Sequence, residues 1–147
     1  MEQTENFLFT AVSKATLPQV RQFVQKTATS FGGIPDAVSE LVIATNEAVT
    51  NIIHHGYNQQ SGDIELTVGR QQDHLIIQLR DRGRPFDPTT APIPDITLPL
   101  EERTPGGLGV HMMRAFTDAL SYCQTENGKN ELIMIKYNAA CSKNQEE

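Results

Sequence analysis

The sequence predicts an α+β two-layer sandwich, in which a mixed, mostly antiparallel sheet is covered by helices on one face. Three observations predict this fold class. Five segments alternate apolar and polar residues as strands do, four of these segments pair off as two hairpins, and three segments with helical spacing lie between them. The 147 residues suit a single domain over 1–147, with a core from about residue 7 to residue 138.

The first half of the chain predicts one strand followed by two helices. FLFTAVSK (7–14) alternates and is rich in Phe and Val, which favours a strand. Residues 17–33 have apolar side chains at helical spacing, with Pro18 in the first turn and a Gly-Gly stop. Residues 34–57 form the longest helical pattern, which we expect to end at Gly56.

The second half predicts two hairpins separated by a long loop and a helix. Residues 63–70 and 74–81 alternate and indicate an antiparallel hairpin with one buried face. Residues 82–106 hold six of the eight prolines and no periodicity, which is typical of a functional lid or a disordered segment. The remaining predicted elements are a helix over 107–120 and a hairpin over 120–126 and 130–138, followed by a frayed tail.

Composition argues against several classes of partner. The formal net charge is −6 and the basic residues are scattered singly, so we expect neither direct nucleic-acid binding nor a membrane surface. No run approaches the roughly 20 apolar residues that span a bilayer, and the N-terminus does not resemble a secretory signal. The only cysteines, Cys123 and Cys141, suggest reduced thiols in a cytoplasmic protein.

One face of the long helix carries unusual side chains. In ATNEAVTNIIHHGY (44–57), Glu47, Asn51 and His54 or His55 follow one another at i, i+4 and i+7 or i+8. This stripe is either the solvated face of an amphipathic helix or a binding site. Solvated faces usually carry Lys, Glu and Gln, whereas Asn and His are poor helix formers with strong coordinating chemistry. Zinc catalysis is not favoured, because neither H-E-x-x-H nor H-x-x-E-H is present.

Two further segments favour a binding site. DRGRPFDP (81–88) closes a strand with Asp81, and Gly83 permits a tight turn there. PGGLGVHMMRAF (105–116) places three glycines just before a helix, where backbone amides can bind an anion. The Walker pattern is absent, so this is not a P-loop protein. The three segments together supply a carboxylate, an amide ligand for a hard metal, a buried Asp and a phosphate cradle.

With these residues in place, the chain resembles the gyrase, chaperone, histidine-kinase and MutL ATPases (the GHKL superfamily), which share the Bergerat nucleotide-binding fold. NEAVTNIIHHGY matches the N box, DRGRPFD the first glycine box and GGLGVHMM the second, in the family's order and spacing. The short build and the D-x-G-x-x-F-D form resemble, within that superfamily, the anti-sigma-factor serine/threonine kinases.

The resemblance implies ATP and Mg²⁺ as cofactors and assigns roles to several residues. Asn51 would coordinate Mg²⁺, and Glu47 would act as general base or orienter for the attacking hydroxyl. Asp81 would accept a hydrogen bond from the adenine amino group, and Gly83 would let the backbone approach the base. Residues 87–106 would form the ATP lid. Further nucleotide contacts are implied for His55, Phe86, Thr104, Gly107, Leu108 and Gly109.

The chain also departs from the family pattern. Asn46 stands where histidine kinases often have His, and His54–His55 where many members have Lys or Arg. Those imidazoles either contact a phosphate oxygen or cap the helix. Lys129–Asn130 replaces the Gly-Thr that often precedes the last strand and joins the adenine site. Arg103 in the late lid is either a γ-phosphate ligand or a solvated loop residue.

The function that the resemblance implies is an ATP-dependent protein serine/threonine kinase. It would phosphorylate an anti-sigma-factor antagonist and bind a sigma factor or a similar regulated protein. The alternative is a non-catalytic nucleotide-binding or adaptor module in a partner-switching system. The resemblance leaves a homodimer open.

Overall fold

The computed structural model of the protein describes residues 1–58, 60, 62–90 and 107–141. Three helices and five strands follow one another along these residues in the order that the sequence predicts. They are, in chain order, β1 (Gln3–Phe9), α1 (Leu17–Ser30), α2 (Pro35–Asn51), β2 (Ile64–Gln71), β3 (His74–Asp81), α3 (Gly107–Ala115), β4 (Ala119–Gln124) and β5 (Asn130–Lys136).

The five strands form one sheet in the order β1-β2-β3-β5-β4. Each pair of neighbours is antiparallel. The α+β fold class is therefore confirmed, whereas the expectation of a mixed sheet is wrong for the described strands. The chain leaves β3, returns through α3 to the sheet edge as β4, and then folds back as β5. β3 and β4 consequently run in the same direction, but β5 lies between them.

Within the described ranges, the helices cover one face of the sheet. Along β3, Leu75, Ile77 and Leu79 are fully buried, whereas the residues between them are half-exposed. The buried face joins apolar residues of α1 and α2, such as Val24 and Leu41, in a single core. Burying an aliphatic side chain of this size contributes about 1.5–3 kcal/mol, so these alternate positions fix the register of β3.

Some boundaries differ from the predicted ones because pairing, not local pattern, decides them. β1 starts at Gln3 and ends at Phe9, since Gln3–Phe9 pairs in full with Ile64–Arg70 of β2. Beyond it, Ala11 has a φ of 49°, which breaks the strand. α3 ends at Ala115 instead of residue 120, because β4 already begins at Ala119.

α2 ends at Asn51, but the chain stays helical in a different form. Residues Ile52–Gly56 make a π-helical turn, and the Tyr57 amide donates to the Ile52 carbonyl at 2.9 Å. The predicted helix to residue 57 is thus correct in extent and not in type. π turns often occur at functional sites. Here the turn carries both histidines of the predicted stripe.

Candidate active site

A pocket of about 380 Å³, counting space that is open to solvent, lies where α2, the end of β3, α3 and the β4–β5 hairpin meet. Three of the residues singled out in the sequence, Asn51, Asp81 and Phe86, line it together. The other side chains in its wall include Ala48, Ile52, Met113, Tyr122, Asn130 and Leu132. The N box and the first glycine box, 30 residues apart in the chain, thus meet in one concave site.

Asn51, at the centre of the α2 stripe, does not lie on a solvated face. Ala44 and Ala48 are buried, and the Asn51 side chain is only 7% exposed. The amide nitrogen of Asn51 is buried without a hydrogen-bond partner in the described part of the chain. A buried polar atom without a partner is costly unless a ligand or water satisfies it. Asn51 therefore has the position and the free hydrogen-bonding capacity of a ligand-binding residue.

Glu47 lies one helical turn before Asn51 and faces the start of α3. It is half-buried, and a Cβ atom added to Gly109 would come 2.7 Å from its Oε2. This close approach brings the N-box carboxylate against the first turn of the second glycine box. The N-terminus of a helix carries a partial positive charge, which favours a carboxylate there. The structure thus brings Glu47 and Gly109 together, on α2 and α3.

Asp81 ends β3 as a buried carboxylate, 7% exposed. Its Oδ1 accepts hydrogen bonds from the Gly83 amide at 2.8 Å and from Asn130 Nδ2 at 3.0 Å. Burial raises the pKa of Asp81 above its ordinary value, and these two hydrogen bonds partly oppose the rise because they favour the ionised form.

The loop after β3 is held by the π-helical turn. The Arg84 amide donates to the Gly56 carbonyl at 2.6 Å. A Cβ atom on Gly83 would lie 2.7 Å from the Gly56 carbonyl carbon, closer than any side chain can sit. Gly83 is therefore required for the packing of this loop on the N box, whether or not a base is bound. Its predicted approach to the base stays a prediction.

The two histidines point in different directions. His55 is half-buried and stacks on Phe86, with ring centroids 4.5 Å apart and planes at 15°. His54 is exposed and meets the edge of His55. Burial, followed by the charge of His54, lowers the pKa of His55. His55 thus braces a ring that lines the pocket, and the neutral imidazole is the favoured form there.

The glycine-rich segment and the lid are described in part. Gly107, Leu108 and Gly109 form the first turn of α3, as expected, so their backbone amides lie at a helix N-terminus. Thr104 and Arg103 lie outside the described residues, as does the predicted lid from residue 91 to 106. At the start of the lid, Arg114 of α3 donates to the Pro88 carbonyl at 2.7 Å.

Two pocket residues were not predicted as ligands. Asn130 lies opposite Asp81 in the β3–β5 register, and the Tyr122 hydroxyl donates to its Oδ1 at 2.8 Å. One signal could have found Asn130. It is a polar residue at an inward position of a strand, and it occupies the site where the family often has Gly-Thr.

Comparison with known proteins identifies the class. The family model of the histidine kinase-like ATPase domain matches residues 10–136, and the chain belongs to this family. Membership of an ATPase family implies the use of ATP. None of the helices in the described ranges is long and apolar enough to cross a membrane.

Particular relatives are protein kinases. The chain is 33% identical over 100 residues to the serine/threonine-protein kinase BtrW of Bordetella bronchiseptica, covering 67% of this chain and 70% of the relative. It is 29% identical over 123 residues to the serine-protein kinase RsbW of Bacillus cereus, covering 80% of this chain and 75% of the relative.

Two solved structures share the fold. One contains the RsbU and RsbW domains of a Mycobacterium tuberculosis protein, with a TM-score of 0.62 and 17% identity. The alignment covers 91% of this chain but only 32% of that one. The other is the SiaB–SiaC complex of Pseudomonas aeruginosa, with a TM-score of 0.61, 13% identity and 88% of each chain covered. At these identities the likeness concerns the fold alone.

Proposed function

We propose that the protein is an ATP-dependent serine/threonine kinase of the anti-sigma-factor type. Its reaction is transfer of the ATP γ-phosphoryl group to a Ser or Thr of a small anti-sigma-factor antagonist. The observation that carries the proposal is the Glu47 carboxylate, which lies against the first turn of α3 and one helical turn before Asn51. The names of the curated relatives support the same activity.

In this proposal the pocket binds the nucleotide base and α3 binds the phosphates. Asp81 accepts a hydrogen bond from the adenine amino group at the pocket floor, while Phe86, backed by His55, forms a wall. The backbone amides of Gly107, Leu108 and Gly109 donate to phosphate oxygens, as amides at helix N-termini do. Thr104 contributes from the lid.

The residues present fit a magnesium ion at Asn51. The side chain lines the pocket, and with its amide oxygen turned toward the pocket it would offer a neutral oxygen ligand. An amide oxygen is a suitable hard ligand, and Mg²⁺ usually completes its shell with phosphate oxygens and water. When bound, the ion would neutralise developing charge on the phosphates.

Glu47 supplies the proton acceptor. The acceptor hydroxyl gives its proton to the Glu47 carboxylate as its oxygen bonds to the γ-phosphorus, and the bond from that phosphorus to the β,γ-bridging oxygen breaks to release ADP. Phosphoryl transfer depends mainly on positioning and on charge stabilisation. One carboxylate, the Asn51 amide that would hold the ion, and a ring of backbone amides are therefore sufficient machinery from this chain.

The partners are proposed on the same grounds. The antagonist must present its hydroxyl to Glu47, whereas a sigma factor or similar regulated protein binds a separate surface. A homodimer and a cytoplasmic location also belong to this proposal. The resemblance supports the homodimer, and the cysteine usage supports the cytoplasmic location.

The test is a transfer assay with γ-labelled ATP and purified candidate antagonists. We expect label on antagonist Ser or Thr in the presence of magnesium, and its loss in Asn51→Ala. Asn46→Ala is the matched control, because it removes an amide from the same helix. The Asn46 amide accepts a hydrogen bond from Arg21 and does not line the pocket. ATP binding without transfer to any antagonist would contradict the kinase and leave a nucleotide-binding adaptor.

A further inference from the structure

Asn130, the first residue of β5, is a buried amide whose hydrogen bonds lead to the base-binding carboxylate. Its side chain is 3% exposed and lines the pocket. In the sheet it pairs with Asp81 of β3 on one side and with Gln124 of β4 on the other. Its position beside Asp81 is thus fixed by two strand registers and not by a loop.

The orientation of the Asn130 amide is set by its partners. Nδ2 donates to Asp81 Oδ1 at 3.0 Å and to the Gly83 carbonyl at 2.9 Å. Oδ1 accepts from the Tyr122 hydroxyl at 2.8 Å. A carbonyl and an ionised carboxylate only accept hydrogen bonds, so an inverted amide would face two acceptors with its oxygen. Only one orientation satisfies the group.

These contacts decide which oxygen of Asp81 is left for a ligand. Oδ1 accepts from both Asn130 and the Gly83 amide, and no residue of the described ranges donates to Oδ2. An ionised carboxylate cannot donate a hydrogen bond. Oδ2 therefore suits an exocyclic amino group, which donates, and does not suit a 6-oxo group, which accepts.

We propose that Asn130 is a positioning residue for base specificity, which holds Asp81 Oδ1 and the Gly83 carbonyl so that Oδ2 stays available to the 6-amino group of adenine. The inference rests on the proposed function, because it takes ATP as the ligand of this pocket. Its chemistry differs from that of the family's Gly-Thr, since the Asn130 amide acts through the carboxylate and not on the base.

Loss of the amide has a defined consequence. Without Asn130, the Asp81 carboxyl group rotates more freely and takes up a proton more readily, because a hydrogen bond to the charged form stabilises that form. A protonated carboxyl group donates as well as accepts, so it tolerates a 6-oxo group. Discrimination between bases is thus lost before binding of the phosphates is lost.

The test compares dissociation constants for ATP, GTP and purine riboside triphosphate, which has hydrogen in place of the 6-amino group. One hydrogen bond to a charged acceptor predicts that the parent prefers ATP over this analogue by about 10–100-fold. Asn130→Ala should remove most of that preference and should also bring the dissociation constants for ATP and GTP closer together. Leu132→Ala is the matched control, because Leu132 lines the pocket from the same face of β5 and should affect all three nucleotides alike.

A double substitution shows whether Asn130 acts through Asp81. In an Asp81→Asn background, Asn130→Ala should leave the ATP-to-analogue ratio unchanged. If Asn130→Ala does not fold, Tyr122→Phe removes one anchor of the amide and should lower the ratio a few-fold, and an unchanged ratio would overturn the inference. The inference would also be overturned if substitution of Asp81 removes the parent's preference for ATP over the analogue while Asn130→Ala keeps that preference in full. A parent that binds no ATP refutes the proposed function itself.

Discussion

At the scale of single residues, Asp81 combines burial with a charge that the proposed nucleotide site requires. Burial raises its pKa above the ordinary value of 3.8, while the hydrogen bonds from Asn130 and Gly83 oppose this rise because they stabilise the ionised form. The ionised form is the one that accepts from an adenine amino group. Folding and binding therefore place opposite demands on this carboxyl group.

These demands predict opposite pH dependences. Because the folded-state pKa is raised, the contribution of Asp81 to the free energy of unfolding is greatest below pH 3.8 and is lost as pH rises through the folded-state pKa. ATP affinity should instead fall as pH decreases through that same window. The nearby Tyr57 and Tyr122 do not interfere, since burial raises the pKa of both phenols.

Titrations of ATP binding and of urea unfolding between about pH 3.5 and 7 would check the direction of both dependences. Asp81→Asn is the control, because protonation of the nucleotide affects both proteins equally. We expect the substitution to flatten both dependences at this site. An ATP affinity whose acid limb is identical in parent and Asp81→Asn would contradict the role of this carboxyl group.

At the scale of elements, the site depends on two close approaches at glycines. Gly109 of α3 lies against the Glu47 carboxylate, which is the mobile end of a flexible side chain. Gly83 lies against the backbone of Gly56, which cannot move aside so easily. An added Cβ atom would lie 2.7 Å from its nearest neighbour at both glycines, but substitution by Ala should cost more stability at Gly83 than at Gly109.

Gly109→Ala is expected to spare the fold and impair the reaction. Ala favours a helix over Gly by up to about 1 kcal/mol, so the melting temperature should hold or rise. Displacing the Glu47 carboxylate should slow phosphoryl transfer by about 100-fold. Gly83→Ala, the matched comparison, should lower the free energy of unfolding by about 1–3 kcal/mol. Thermal unfolding and transfer rates on both variants check this, and an unstable Gly109→Ala with normal transfer would contradict it.

The elements show what the sequence could and could not predict. The helix that carries Glu47 and Asn51 and the glycine-rich start of α3 follow from local spacing, so these helices were predicted correctly. The π-helical turn was not, because a switch to i+5 hydrogen bonding leaves no mark on an apolar pattern. The bond between Asn130 and Asp81 joins residues 49 apart and depends on strand register. Local patterns carry no information about such a pair.

At the scale of the whole molecule, the site lies at one end of the sheet and a buried arginine holds the other. Arg70 is 1% exposed and donates to the carbonyls of Phe31 and Gln72, at 2.6 and 2.7 Å. It also bonds the Cys141 carbonyl. Its register partner, Leu75, is six residues before Asp81, which is roughly 20 Å along a strand. Substitution of Arg70 should therefore lower the stability of the fold without changing nucleotide binding.

Arg70→Met is expected to lower the free energy of unfolding by about 2–4 kcal/mol, because several carbonyls lose a charged donor. ATP affinity should be unchanged at temperatures where the variant is folded. Arg80→Met is the matched control, since Arg80 bridges Glu65 and Glu131 on the open face with 37% of its side chain exposed and should cost at most about 1 kcal/mol. Denaturant titration measures the free energy of unfolding of both variants. Equal losses of that free energy would contradict the structural role of Arg70.

The most direct test of the kinase mechanism is the effect of Glu47→Gln on two quantities measured in one preparation. The change is nearly isosteric and removes only the proton acceptor. ATP affinity, measured by fluorescence titration, should stay at the parent value, because the base and phosphate contacts remain. The single-turnover rate of phosphoryl transfer to the antagonist should fall by about 10²–10⁴-fold. A variant that phosphorylates the antagonist as fast as the parent would show that Glu47 is not the general base.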